Sequence, residues 1–193
     1  MRAPEVVLVR HGETEWSLQG KHTGSTDIPL TATGRRQAEH VGRRLAKWRF
    51  ELVLTSPLGR AAETCRLAGL GADAQVRRDL MEWDYGRFEG RTTPEIRTEE
   101  PGWNLWRDGC PEGESAADVA RRADRVISEL RPIEGDAAVF AHGHLLRVLA
   151  ARWLGMPPAA GGGLALSTAT ISILGHEHET PVIWLWNDDA GRS

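Results

Sequence analysis

Two histidines end two similar apolar runs in this 193-residue chain: Val6-Val7-Leu8-Val9-Arg10-His11-Gly12 and Ala137-Ala138-Val139-Phe140-Ala141-His142-Gly143. A neutral imidazole can attack an electrophilic centre or donate a hydrogen bond near neutral pH. Arg10, beside the first histidine, adds a planar guanidinium whose paired donors match two oxygens of a phosphoryl group. A third run, Leu52-Val53-Leu54-Thr55-Ser56, leads through Pro57 to Arg60. Two imidazoles and two guanidiniums can hold a tetrahedral dianion, with His11 as nucleophile and His142 as donor to the transferring group. Cleavage of an ester also needs an acid for the departing oxygen. Glu82 and Asp84, within Glu82-Trp83-Asp84-Tyr85-Gly86, are the candidates, and spacing alone does not choose between them.

Such side chains act together only if the fold converges on them. Short Val-rich runs bounded by polar breaks read as buried strands of an α/β sheet, and open α/β sheets hold ligands at the carboxyl ends of their strands. Ser56 reads as an N-cap and Pro57 as the first residue of a helix over 58–68, which turns Arg60 back toward the strand ends. A helix is predicted from Thr31 to Lys47, burying Ala38, Val41 and Leu45. Ser115-Ala116-Ala117-Asp118 forms a capping box for a helix burying Val119, Ala123, Val126, Ile127 and Leu130. A short strand is expected over 75–80 and a short helix with Thr93 as N-cap. A helix over 145–154 and strands at 168–174 and 182–186 complete the reading. Residues 12–29 and 157–163 read as loops. The order predicts one domain over residues 1–193, a three-layer α/β/α sandwich on a mostly parallel sheet.

The net charge of −3 gives no global reason to expect nucleic acid or an anionic membrane as partner. Positive charge is local, at Arg10, Lys21, Arg60 and Arg147. No run approaches the roughly 18 apolar residues of a spanning helix, and the first apolar run is short for a signal peptide. Cys65 and Cys110 lack any metal or disulfide spacing, which suits a reducing, cytoplasmic setting. His142-Gly143-His144 and His176-Glu177-His178 have alternate-residue spacing but no evident third ligand, so neither a metal nor another cofactor is expected. Gly161-Gly162-Gly163 follows no strand as a dinucleotide loop would and reads as a turn. Trp83, Tyr85, Trp103 and Trp106 suit either the core or a wall over the phosphate pocket.

Leu8-Val9-Arg10-His11-Gly12-Glu13-Thr14-Glu15-Trp16 resembles the signature of the histidine phosphatase superfamily, which includes cofactor-dependent phosphoglycerate mutases. Asp27 to Thr31, Ser56 to Ala61, Glu82 to Gly90 and Ala141 to His144 match later blocks in order, across nearly the whole chain. The resemblance implies a phosphoglycerate mutase-like fold and His11 as the phosphorylated nucleophile. It also implies a pocket of Arg10, Arg60 and His142, and Glu82 as proton donor. Substrate contacts fall on Ser17, Thr23, Gly24, Tyr85, Gly143 and Arg147, with Ser17 standing where mutases and many phosphatases carry Asn. Ser17, His22-Thr23-Gly24, the 103–110 segment and His-Gly-His-x-x-Arg are closer to a branch of actinobacterial acid phosphatases and sedoheptulose-bisphosphatase-like enzymes. Family members often form homodimers.

The reading that follows is a metal-independent phosphomonoesterase acting on small phosphorylated metabolites, broad in specificity or directed to sugar phosphates. Hydrolysis is expected to be fastest on the acidic side of neutrality, with His142 protonated. The alternatives are a phosphoglycerate mutase, for which the stretch from Gly90 to Ser115 leaves little room for the long mutase insertion, and a non-catalytic phosphate-binding module. Lys21, His22 and Arg147 could hold a second anionic group or be ordinary surface residues.

Overall fold

Residues 4–189 are described by the computed structural model. Six strands form one sheet in the order β3-β2-β4-β1-β5-β6. They are β1 (Val6–Arg10), β2 (Phe50–Thr55), β3 (Ala74–Val76), β4 (Asp136–Ala141), β5 (Ile171–Glu177) and β6 (Thr180–Asp188). β3, β2, β4 and β1 run parallel, and the β5–β6 hairpin adds antiparallel strands at one edge. Seven α-helices accompany them among the described residues: α1 (Glu15–Leu18), α2 (Ala32–Leu45), α3 (Gly59–Leu67), α4 (Thr93–Glu99), α5 (Leu105–Asp108), α6 (Ala116–Leu130) and α7 (Gly143–Trp153).

Alternation along the strands builds the layers. Val7 and Val9 of β1 and Ala138 and Phe140 of β4 pack with Val41 and Leu45 of α2 and with Cys65 of α3. Val6, Leu8, Ala137, Val139 and Ala141 face the other way, onto α6, α7 and the aromatic residues of the 83–103 stretch. Successive strand side chains point to opposite faces, so an apolar strand covered on both sides needs no polar face. The expected three-layer α/β/α sandwich is the observed architecture.

Several local expectations shift. α2 starts after Thr31, whose hydroxyl accepts from Gly34 N, and buries Ala38, Val41 and Leu45. α6 carries the expected Ser115–Asp118 capping box. α3 starts later than read: Leu58 is its N-cap, and Ser56 Oγ serves Leu58 N and His142 instead. Asp27, from a distant loop, accepts from Gly59 N at 3.0 Å and so caps the helix in place of Ser56. Thr92, not Thr93, caps α4, because its hydroxyl and the Glu95 carboxylate pair reciprocally. The expected strand over 75–80 is a three-residue strand followed by a 3-10 turn at Arg78–Leu80. The loop after β1 contains the short α1, capped by Thr14, and the 158–163 stretch is a 3-10 turn.

No helix among the described residues is long and apolar enough to cross a membrane.

Candidate active site

Parallel pairing brings the two histidine runs level. Arg10 is registered with Ala141, and His11 N donates to Ala141 O at 3.0 Å. The two imidazoles that follow lie 5.3 Å apart, centroid to centroid. β2 flanks β4 on its other side, so Ser56 also arrives at this level, with its N–H on Phe140 O. Gly12 lets the first turn of α2 approach closely: a Cβ there would stand 2.4 Å from Gly34 O. Gly143 leaves room for the Arg10 guanidinium, which a Cβ would approach to 3.3 Å.

The hydrogen bonds settle which ring nitrogen does what. His11 Nδ1 lies 2.7 Å from the Gly12 carbonyl. A carbonyl only accepts, so Nδ1 carries the proton and Nε2 keeps its lone pair. Burial, with the charges of Arg10 and Arg60, lowers the His11 pKa well below its ordinary value, which leaves a neutral imidazole with an open Nε2. His142 Nε2 lies 2.8 Å from Ser56 Oγ. That buried hydroxyl has no other acceptor for its proton among the described residues, so the proton goes to Nε2 and His142 carries its hydrogen on Nδ1. Burial, then Arg60 and His11, hold His142 neutral too. The expectation of a protonated His142 is therefore corrected: a cation buried beside two arginines is unfavourable, and the ring donates as neutral imidazole.

Arg60 is fully buried in the first turn of α3. Its Nη1 donates to Thr26 O, and its Nη2 donates to Thr23 O and Gly24 O. The same loop presents the N–H groups of Gly24 and Thr26 to the Glu89 carboxylate. Arg60 thus straps the 23–26 loop in place, while its buried Nε has no partner among the described residues; nor has His142 Nδ1. Buried donors of this kind are costly unless an acceptor reaches them, and oxygens of a bound anion would do so. Burial lowers the Arg60 pKa, with Glu82 and Asp27 opposing. Arg10 Nη1 donates to Leu166 O at 2.5 Å.

Glu82 and Asp84 are separated by geometry. Glu82 Oε1 accepts from Trp83 N and Leu145 N, both at 2.9 Å, and Oε2 accepts from His144 N at 3.0 Å. The carboxyl group thus sits on the N-terminus of α7, where backbone N–H groups lack intrahelical partners. Asp84 is exposed, and its side chain accepts from Gly86 N. Arg122 supports this corner, donating to Met81 O and Glu82 O while pairing with Glu114.

A cleft of about 190 Å³ opens onto the centre, lined by Arg10, His11, Glu82 and Gly143, and by Ser17, Lys21, His22, Thr23, Tyr85, His144, Arg147 and others. That volume suits a small ligand. Of the residues expected at the site, Gly24 is buried behind the cleft, tied to Arg60 and Glu89. Ser17 lines it, but its hydroxyl is engaged with Thr14 N and Thr14 O in the cap of α1. Arg147 lies over the Trp106 ring and donates to Gly161 O and Gly162 O. Trp83 and Trp103 belong to the core, whereas Tyr85 is both buried and part of the cleft wall. Glu89 and Arg122 carry no signal in the sequence, and Ser56 reads there only as a helix cap.

Comparison with known proteins bears on this arrangement. The family model of the histidine phosphatase superfamily (branch 1) matches residues 6–189. The chain is 44% identical over 182 residues to an acid phosphatase of Mycobacterium tuberculosis, covering 92% of this chain and 89% of that protein. It is 37% identical over 185 residues to the sedoheptulose 1,7-bisphosphatase of Saccharomyces cerevisiae, covering 79% and 68%. The solved structure of an open reading frame product of M. tuberculosis superposes with a TM-score of 0.92 at 42% identity, covering 96% of this chain and 98% of that one.

Proposed function

The chain belongs to the histidine phosphatase superfamily, branch 1, and from that premise we propose that it is a metal-independent phosphomonoesterase acting through a phosphohistidine at His11. The observation that carries the proposal is the pair of neutral imidazoles in opposite tautomers, one with an open Nε2 and one with a buried, unpartnered Nδ1–H.

His11 Nε2 attacks phosphorus while the ester oxygen leaves, and the phosphoryl group passes to the imidazole. Positioning and fixed charge supply most of the catalysis of phosphoryl transfer. Here Arg10, Arg60 Nε and His142 Nδ1–H face the charge on the phosphoryl oxygens, in the place that a metal fills in other enzymes. Glu82 gives its proton to the departing alkoxide. Both lone pairs of Oε1 are taken by backbone N–H groups, so that proton sits on Oε2. In the second step Glu82, now a carboxylate, takes a proton from water, which attacks the phosphohistidine and releases phosphate. The small cleft suits esters of short alcohols, among them sugar phosphates, and the named activities of the M. tuberculosis acid phosphatase and the S. cerevisiae sedoheptulose 1,7-bisphosphatase support the reading.

Rapid quenching after brief exposure to phosphate-labelled substrate tests this reading. An acid-labile, alkali-stable adduct is expected, absent in His11→Ala, with hydrolysis persisting in EDTA. Labelling of His11→Ala at the wild-type level overturns the assignment, as does isomerisation of phosphoglycerates that outpaces phosphate release.

A further inference from the structure

One wall of the cleft carries a hydrogen-bonded pair that the chemistry above leaves unused. Tyr85 is 1% exposed, and its hydroxyl lies 2.6 Å from His144 Nδ1. Burial, reinforced by Glu82, raises the phenol pKa well above its ordinary value, so the O–H keeps its proton. Burial, then Arg147, lowers the His144 pKa well below its ordinary value, so the ring is neutral. A buried hydroxyl proton needs an acceptor, and Nδ1 is the one in reach. With the Nδ1 lone pair occupied, the ring hydrogen sits on Nε2. Nε2 has no hydrogen-bond partner among the described residues, and His144 lines the cleft.

The position of this donor matters. The main-chain N–H of His144 holds Glu82 Oε2, the oxygen placed here to protonate the leaving group. The imidazole of the same residue lines the cleft that this carboxyl group also lines. His22 continues the wall, 4.7 Å from Tyr85 and 6.0 Å from His144, with its pKa lowered to about 4 by burial. These three rings are uncharged at neutral pH. The cations of the same cleft are partly engaged elsewhere: Lys21 lies over the Trp16 ring, and Arg147 donates to two carbonyls.

We propose that His144 is a specificity-determining residue, donating from Nε2–H to an oxygen substituent on the leaving alcohol, so that the enzyme prefers phosphate esters of hydroxylated chains to those of plain alcohols. Tyr85 acts as a positioning residue by fixing the tautomer. The inference rests on the phosphatase reading above and names the substrate class of that same site.

Glycerol 1-phosphate and propyl phosphate form a matched pair, differing only in hydroxyl groups. For the full chain, kcat/KM is expected to favour the glycerol ester by about tenfold or more, the scale of a hydrogen bond made to one substrate and missing from the other. His144→Phe should bring the ratio to within about twofold of unity, by the same reckoning. His144→Gln, whose amide nitrogen can replace Nε2, should recover part of the preference. A wild-type ratio near one overturns the inference without any variant, and so does a preference that His144→Phe retains. If His144→Phe does not fold, the wild-type ratio and His144→Gln decide. Failure to cleave either ester or para-nitrophenyl phosphate would instead remove the phosphatase reading and this inference with it. Cleavage of the aryl ester, with the two alkyl esters treated alike, removes this inference alone.

Discussion

Replacing Glu82 by glutamine alters the site in two separable ways. The carboxyl group accepts three backbone N–H groups, two on Oε1 and one on Oε2. Glutamine can keep its oxygen on Trp83 N and Leu145 N, but then its amide nitrogen faces His144 N–H, donor against donor. One buried N–H loses its acceptor, at about 1–3 kcal/mol. Glu82→Gln is therefore expected to be less stable than wild type by about 1–3 kcal/mol, read from urea unfolding.

The catalytic effect has a different signature. An amide cannot release a proton to the departing oxygen, and general acid catalysis contributes roughly 10²–10⁴-fold, or about 3–5 kcal/mol of barrier. That loss should appear in full for propyl phosphate, whose alkoxide leaves poorly. For para-nitrophenyl phosphate, whose phenolate scarcely needs a proton, the loss should stay within about tenfold. The assay is kcat/KM on both esters, at a temperature where unfolding shows the variant to be native. Equal losses on the two esters would refute the acid role. An active, fully stable variant would refute the placement of the carboxyl group on α7 as well.

Three further outcomes follow from the same geometry. Ser56→Ala removes the hydroxyl that fixes the His142 tautomer, so kcat should fall about tenfold and stability by roughly 1–3 kcal/mol; an unchanged kcat would show that the tautomer needs no help. Arg122→Met strands Glu114 and the carbonyls of Asp79, Met81 and Glu82, and should cost about 3–5 kcal/mol in urea unfolding. Arg125→Met, which breaks an exposed pair with Asp79, should cost at most about 1 kcal/mol, and equal costs for the two variants would refute the distinction. Burial lowers the pKa of His11, His22, His142 and His144, His22 to about 4, so below pH 6.5 the unfolded chain binds protons that the folded chain refuses. Their contribution to stability is complete above pH 6.5 and declines as pH falls toward the folded values, by up to about 1.4 kcal/mol per pH unit for each histidine; urea midpoints equal at pH 7.5 and pH 5.0 would contradict this.

The sequence by itself determined the strands, the main helices and the residues that gather at the strand ends. Those features are local: Val-rich runs closed by His-Gly, Thr31 and Ser115 placed to cap, and apolar residues at helical spacing each act through near neighbours. Parallel pairing of β1 with β4 then brings His11 and His142 level. Tertiary structure alone decided how each polar atom is used. Ser56 reads as a helix cap until His142, 86 residues away, takes its hydroxyl proton. Arg60 reads as a free phosphate clamp until the 23–26 loop lays three carbonyls on it. Glu82 and Asp84 are equivalent in the chain, and only the N-terminus of α7 separates them. The physical reason is common to all three: periodicity reports which side a residue faces, whereas tautomer, charge state and donor direction depend on partners that only the folded chain brings within about 3 Å.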